Sequence, residues 1–140
     1  MGANYGKGAR GKATRLHSQV VRERAGNRCE NCQRAKGDIN PDTGKEVKSI
    51  QCAHIISRHM TATRTDETNA FCLCASCHWY FGKWPLEFAA FVFDKVGVDR
   101  YAALKAKAEA GKGKPVDWDA EVERLARILD ETTSSSGMSG

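Results

Sequence analysis

The sequence predicts a small α+β domain held together by a metal ion, and three features predict it. Two Cys-x-x-Cys pairs, Cys29/Cys32 and Cys74/Cys77, lie far apart in the chain, so an ion shared by them ties distant segments together. Apolar residues at helical spacing flank them on both sides, at Leu16, Val20 and Val21 and again from Leu86 to Val96. Between the pairs runs a strand-like stretch ending in His54-Ile55, followed by a polar loop. A chain of 140 residues builds one modest core, and there a bound metal contributes much of the folding free energy.

Taken in order, residues 1–13 are glycine-rich, basic and aperiodic, and read as a flexible basic arm. Thr14 is placed to cap a helix over roughly 15–25 that Gly26 stops. Cys29-Glu-Asn-Cys32 is a tight knuckle turn. Gly37, Asn40 and Gly44 mark a turn-rich loop, with Pro41 to Gly44 as a hairpin connection. A strand over about 46–55 alternates imperfectly, which predicts a bulge or a mixed environment. Residues 57–69 have no apolar period and read as an exposed loop, the kind of segment that carries chemistry on a rigid scaffold. From Ala75 the chain turns helical through Phe81. Gly82 interrupts, and Pro85 at a first helical position opens a new helix.

The face of that helix (Leu86, Phe88, Ala89, Phe91, Val92, Val96) reads as core and ends near Gly97. A weakly amphipathic helix over about 99–110 precedes a linker at 111–115. In the last helix, about 117–131, Trp118, Val122, Leu125, Ala126 and Leu129 share a face, so it docks on this domain or on a second copy. Residues 132–140 read as a disordered polar tail. The expected division is an arm (1–13), a core domain (14–112), a C-terminal helix (113–131) and the tail (132–140).

Lys plus Arg exceed Asp plus Glu by 22 to 17, for a net charge of +5. The excess favours a polyanionic partner. It is concentrated in residues 1–36, whereas Asp117, Asp119, Glu121, Glu123, Asp130 and Glu131 make the last helix acidic. A nucleic acid is therefore expected at the N-terminal side, away from that helix. With no apolar leader and no run long enough to span a bilayer, the expectation is a cytoplasmic protein without a membrane partner.

In a reduced compartment paired Cys-x-x-Cys turns are metal ligands rather than disulfides. Thiolates are soft ligands, and two such turns close a tetrahedron around zinc. Cys52 and Cys72 remain as buried small hydrophobes, with Cys72 able to replace Cys74 if the register shifts by two. His17 and His59, taken alone, read as surface histidines.

Cys29-x-x-Cys32, His54-Ile55 and the run from Asn69 through Leu73, Cys74 and Cys77 to His78 together resemble the HNH endonucleases of the ββα-metal (His-Me finger) group. The wording AHIISR with a downstream CHWYFG is also similar to phage recombination endonucleases of the NinG type. The resemblance implies a treble-clef-like, zinc-stabilised ββα-metal core with one helix before it and others after it. It implies a DNA phosphodiester hydrolase in which His54 is the general base. Asn69 would hold the active-site loop and orient the His54 ring. His78 would ligate a divalent ion, Mg2+, Mn2+ or another, that stabilises the leaving oxygen. One departure stands out: many members carry an acidic or histidine metal ligand just before the base, and here that residue is Ala53. His59 and Asp66 are the candidates to complete the ion's shell. Arg58 and Arg64 are candidates to hold the phosphate, and Arg10, Lys12 and Arg15 to track the DNA backbone.

Two readings compete: a non-catalytic zinc-stabilised DNA-binding module, and a protein-interaction domain that uses the C-terminal helix for a partner or for self-association. A phage origin would place the protein in the host cytoplasm, where a structure-selective recombination nuclease is a narrower form of the enzyme reading.

Overall fold

Every residue of Ala70–Cys74 is buried, so this apolar run is covered on both faces. It forms strand β2, paired antiparallel with β1 (Ile50–His54) in a two-stranded sheet whose register sets Cys52 opposite Cys72 and His54 opposite Ala70. The structure, a computed structural model, describes residues 8–138, and side chains as far as Thr132. Around the sheet lie α1 (Ala9–Arg24), α2 (Ala75–Lys83), α3 (Pro85–Ala110) and α4 (Trp118–Met138). The α+β class and the central ββα unit, β1–β2–α2, agree with the sequence reading.

Side-chain alternation divides the core into two layers. Ala53, Phe71 and Leu73 face α2 and α3, packing with Phe81, Val92, Phe88 and Phe91. The Phe71 and Phe91 rings meet edge to face with centroids 4.9 Å apart. On the other face Ile50, Cys52, Ala70 and Cys72 meet Val21 of α1. The face read on the second of these helices is core except at Leu86, which is 86% exposed. Gly97, at φ 83°, ψ 165°, bends α3 where the sequence divides it in two.

Both terminal expectations change. Helix α1 begins at Ala9, not after Thr14, so residues 9–13 belong to a helix and not to an arm; residues 1–7 lie outside the described part. Thr14 is no cap: its hydroxyl donates to the Arg10 carbonyl within the helix. Packing extends α1 without a capping side chain, because fully buried Ala13 lets α4 approach closely. The apolar face of α4 (Trp118, Val122, Leu125, Ile128, Leu129) is spent on α1. It docks on this domain, and it sets the acidic helix against the basic one rather than apart from it. Helix α4 also runs on to Met138, so the tail read from residue 132 is helical as far as it is described; residues 139–140 lie outside. Among the described residues no helix is long and apolar enough to cross a membrane.

Candidate active site and metal centre

The knuckle after α1 brings Cys29 and Cys32 to the end of β2, where Cys74 serves as N-cap of α2 and Cys77 sits in its first turn. Glu30 anchors the knuckle to the sheet: its backbone N–H donates to the Cys72 carbonyl, and its carboxylate accepts from the Cys72 N–H, both at 2.7 Å. The four sulfurs lie within 4.8 Å of one another, with Cys32 and Cys74 Sγ 3.8 Å apart. Four thiolates about 2.3 Å from a tetrahedral ion stand roughly 3.8 Å from each other, so the donor set fits a metal such as zinc.

Amide donors already face these sulfurs. The N–H groups of Cys32 and Cys77 donate to Cys29 and Cys74 Sγ, and Asn31 Nδ2 donates to Cys77 Sγ. A hydrogen bond from the Cys77 thiol holds Cys29 well below the usual thiol range, so one thiolate is favoured even before an ion arrives. Cys72 is not in the group; it faces Cys52 and α1. That removes it as a substitute for Cys74.

His54 ends β1 with its ring fixed from one side. Nε2 lies 2.9 Å from the Arg64 carbonyl oxygen. A carbonyl only accepts, so Nε2 carries the proton and Nδ1 keeps the lone pair. Burial, then the charges of Arg58, Arg64 and His78, lower the His54 pKa from its ordinary value, although the bond to Arg64 opposes them. The imidazole is therefore neutral at pH 7, the form a base requires.

Asn69 is fully buried and works differently from expectation. Its Oδ1 accepts from Ile56 N–H (2.9 Å), and its Nδ2 donates to the carbonyls of Ile56 (3.1 Å) and Thr63 (3.0 Å). It pins both limbs of the 57–69 loop. The ring of His54 donates its hydrogen bond to the Arg64 carbonyl, not to Asn69. Asn69→Ala would leave the half-buried N–H and C=O of Ile56 unpaired, at about 1–3 kcal/mol each before relaxation, while the Thr63 carbonyl keeps its bond from the Asp66 N–H. We expect about 3 kcal/mol less unfolding free energy by urea titration, and a variant within 0.5 kcal/mol of the parent would count against the pinning role.

His78, on α2, donates from Nδ1 to Gln51 Oε1 at 2.6 Å, which leaves Nε2 as its free lone pair. Gln51, two residues before Ala53 on the same face of β1, was not singled out by the sequence reading. It orients His78 as an outer-shell partner orients a metal-ligating histidine.

The remaining candidates separate. Asp66 is engaged: Oδ1 caps the single-turn 3-10 helix Glu67–Asn69 by accepting from Thr68, and Oδ2 pairs with Lys107 at 2.7 Å. His59 is exposed in the loop. Among the described residues no cluster of three His, Cys, Asp or Glu includes His78, His59 or Asp66.

Arg58 is exposed and close enough to His54 to lower its pKa. Arg64 is only 1% exposed, with Nε donating to Thr14 Oγ1 and Nη1 to the Arg58 carbonyl. Its place is inside the loop, so the expected phosphate contact is corrected to a strut that sets the carbonyl used by His54. Arg10, Lys12 and Arg15 are exposed along α1, with Arg10 over the Trp118 ring at 5.9 Å.

Beyond what the sequence suggested, α4 clamps this loop. Arg124 Nη1 pairs with Glu67 at 2.7 Å, its Nη2 donates to the Thr65 carbonyl, and Thr65 Oγ1 donates to Glu121 at 2.7 Å. His17, read as a surface residue, is fully buried and stacks on His54 with ring centroids 5.1 Å apart.

The HNH endonuclease family model matches residues 29–84, from the first knuckle through β1, β2 and α2. No curated protein and no solved structure matches the chain.

Proposed function

We propose that this chain is an HNH endonuclease that hydrolyses DNA phosphodiester bonds, with His54 as general base. The observation that carries the proposal is the His54 ring, held by its Nε2–H on the Arg64 carbonyl with a neutral Nδ1 lone pair to take a proton from water. Asn69 and the Arg124 clamp hold the loop that supplies that carbonyl, so ring direction is fixed before substrate arrives. Arg58 lies on the exposed side of the same loop, placed to meet a phosphate oxygen. The structural ion in the four-cysteine cluster is assigned as zinc.

His78 would offer Nε2 to a catalytic divalent ion, whose chemistry is to offset negative charge on the phosphate and leaving oxygen. With Ala53 offering no second ligand, water and the phosphate would fill the rest of its shell. An imidazole ligand suits Mn2+ or Ni2+ better than Mg2+. After loosely held metal is removed, we expect Mn2+ or Ni2+ to restore nicking of plasmid DNA at lower concentration than Mg2+. No cleavage with any of them would favour the non-catalytic DNA-binding module, the reading that Ala53 itself recommends. Comparing plasmid with branched DNA separates a general nuclease from a recombination nuclease.

DNA would lie across Arg58 and the exposed flank of α1, at Lys12 and Arg15. Lys12→Ala and Arg58→Ala should each lower the slope of log affinity against log salt by about 1. Unchanged slopes would place the DNA elsewhere.

A further inference from the structure

Behind the proposed base lies a second group of metal-ligating atoms. His17, Cys52 and His54 each offer one donor atom, and these three atoms lie within 4.8 Å of one another. We propose that they form a second metal site, a His2Cys centre for a borderline-soft divalent cation such as Zn2+ or Co2+.

The two rings are already in the form a metal requires. His17 Nε2 donates to the Asp66 carbonyl at 2.9 Å, as His54 Nε2 donates to that of Arg64. Each ring therefore keeps its lone pair on Nδ1, and each has the outer-shell carbonyl that commonly orients a metal-bound imidazole. The Cys52 thiol donates to His17 Nδ1 across 3.8 Å. A metal replaces that proton, which passes to solvent, and binds both atoms. β1 carries Cys52 and His54 two residues apart on the face toward α1, and α1 supplies His17 from its buried side. Three protein ligands would leave a fourth position to water, as in three-ligand zinc centres.

Arg22 and Arg58 are near enough to be felt at Cys52. Their charge opposes a dication, so this is the weaker site and fills after the four-cysteine cluster. An ion there takes the lone pair that His54 uses as a base. Excess zinc would then silence hydrolysis, and this consequence alone rests on the function proposed above.

The test uses the full chain loaded with one zinc and titrated with Co2+. We expect one further equivalent to bind with a sulfur-to-cobalt charge-transfer band. The band should be absent in Cys52→Ser and Cys52→Ala and weakened at least tenfold in His17→Gln. Cobalt exchanging into the four-cysteine cluster would give the same band in the Cys52 variants, so that outcome overturns the site. An absent band in the parent overturns it as well. A band lost with Cys52 but undiminished in both His17→Gln and His54→Gln overturns the three-ligand assignment. Because this readout needs no DNA, a parent that never cleaves removes the hydrolase reading and leaves the cobalt result to decide the site. Where the parent cleaves, excess zinc should slow it more than it slows Cys52→Ser, and equal slowing overturns the silencing.

Discussion

Cys77→Ser is expected to release the structural ion and leave the chain unfolded at room temperature. Cys77 sits in the first turn of α2, while Cys29 and Cys32 lie on the knuckle after α1. An ion shared by the four would therefore join segments separated by β1, the loop and β2. Its ligands also belong to the core: Cys29 and Cys74 pack with Ala53, Phe71, Leu73, Phe81 and Val92. Without an ion, the four sulfurs crowd one another against that layer.

Structural zinc contributes on the order of 10–16 kcal/mol in small zinc-dependent domains. A domain of this size has roughly 5–15 kcal/mol of stability in total. Weakening the site by one ligand therefore removes most of the margin. Elemental analysis should show the ion lost, and circular dichroism should show no cooperative melt. Cys72→Ser is the control, since Cys72 is more deeply buried than Cys77 but outside the cluster; it should keep its ion. A Cys77→Ser protein that melts like the parent would end the idea that metal holds this fold.

What the sequence disclosed was what local spacing encodes. The paired cysteines, the bend at Gly97 and the run from Asn69 to His78 all depend on neighbours in the chain, and the structure puts them where the spacing does. What it withheld depends on contacts between distant segments. Helix α1 starts early because α4 covers Ala13, which no capping signal announces. Arg64 reads as loop charge until Thr14, fifty residues away in sequence, is seen to accept from it. The Arg124 clamp requires α4 to be already docked. His17 was the legible omission. It falls four residues after Ala13 and four before Val21, both buried on α1, so the helical period alone places it inside.

His54→Ala should slow cleavage by about a hundredfold or more, the usual scale for a lost general base, while the structural ion stays bound. His54 is only half-buried and lies outside the main apolar cluster. Its loss removes the bond to the Arg64 carbonyl and the stack on His17, which together contribute about 1–2 kcal/mol. Melting should therefore shift modestly, and DNA affinity should hold, because Arg58 and the α1 cations remain.

His78→Ala should also stop cleavage, by another route. Its Nε2 lone pair faces the proposed ion, so the variant should need more Mn2+ for half-maximal rate, and excess Mn2+ should recover part of the activity. His54→Ala should show no such recovery at any ion concentration. Gln51→Leu provides an intermediate case, since it frees the His78 ring without removing the ligand, and its Mn2+ requirement should lie between those of the parent and His78→Ala. If His54→Ala cleaves as fast as the parent while His78→Ala does not, the proton goes to some other group and the lone pair at Nδ1 is not the base. If the two variants respond to Mn2+ identically, the separate roles collapse into one, and the division of labour between β1 and α2 is wrong.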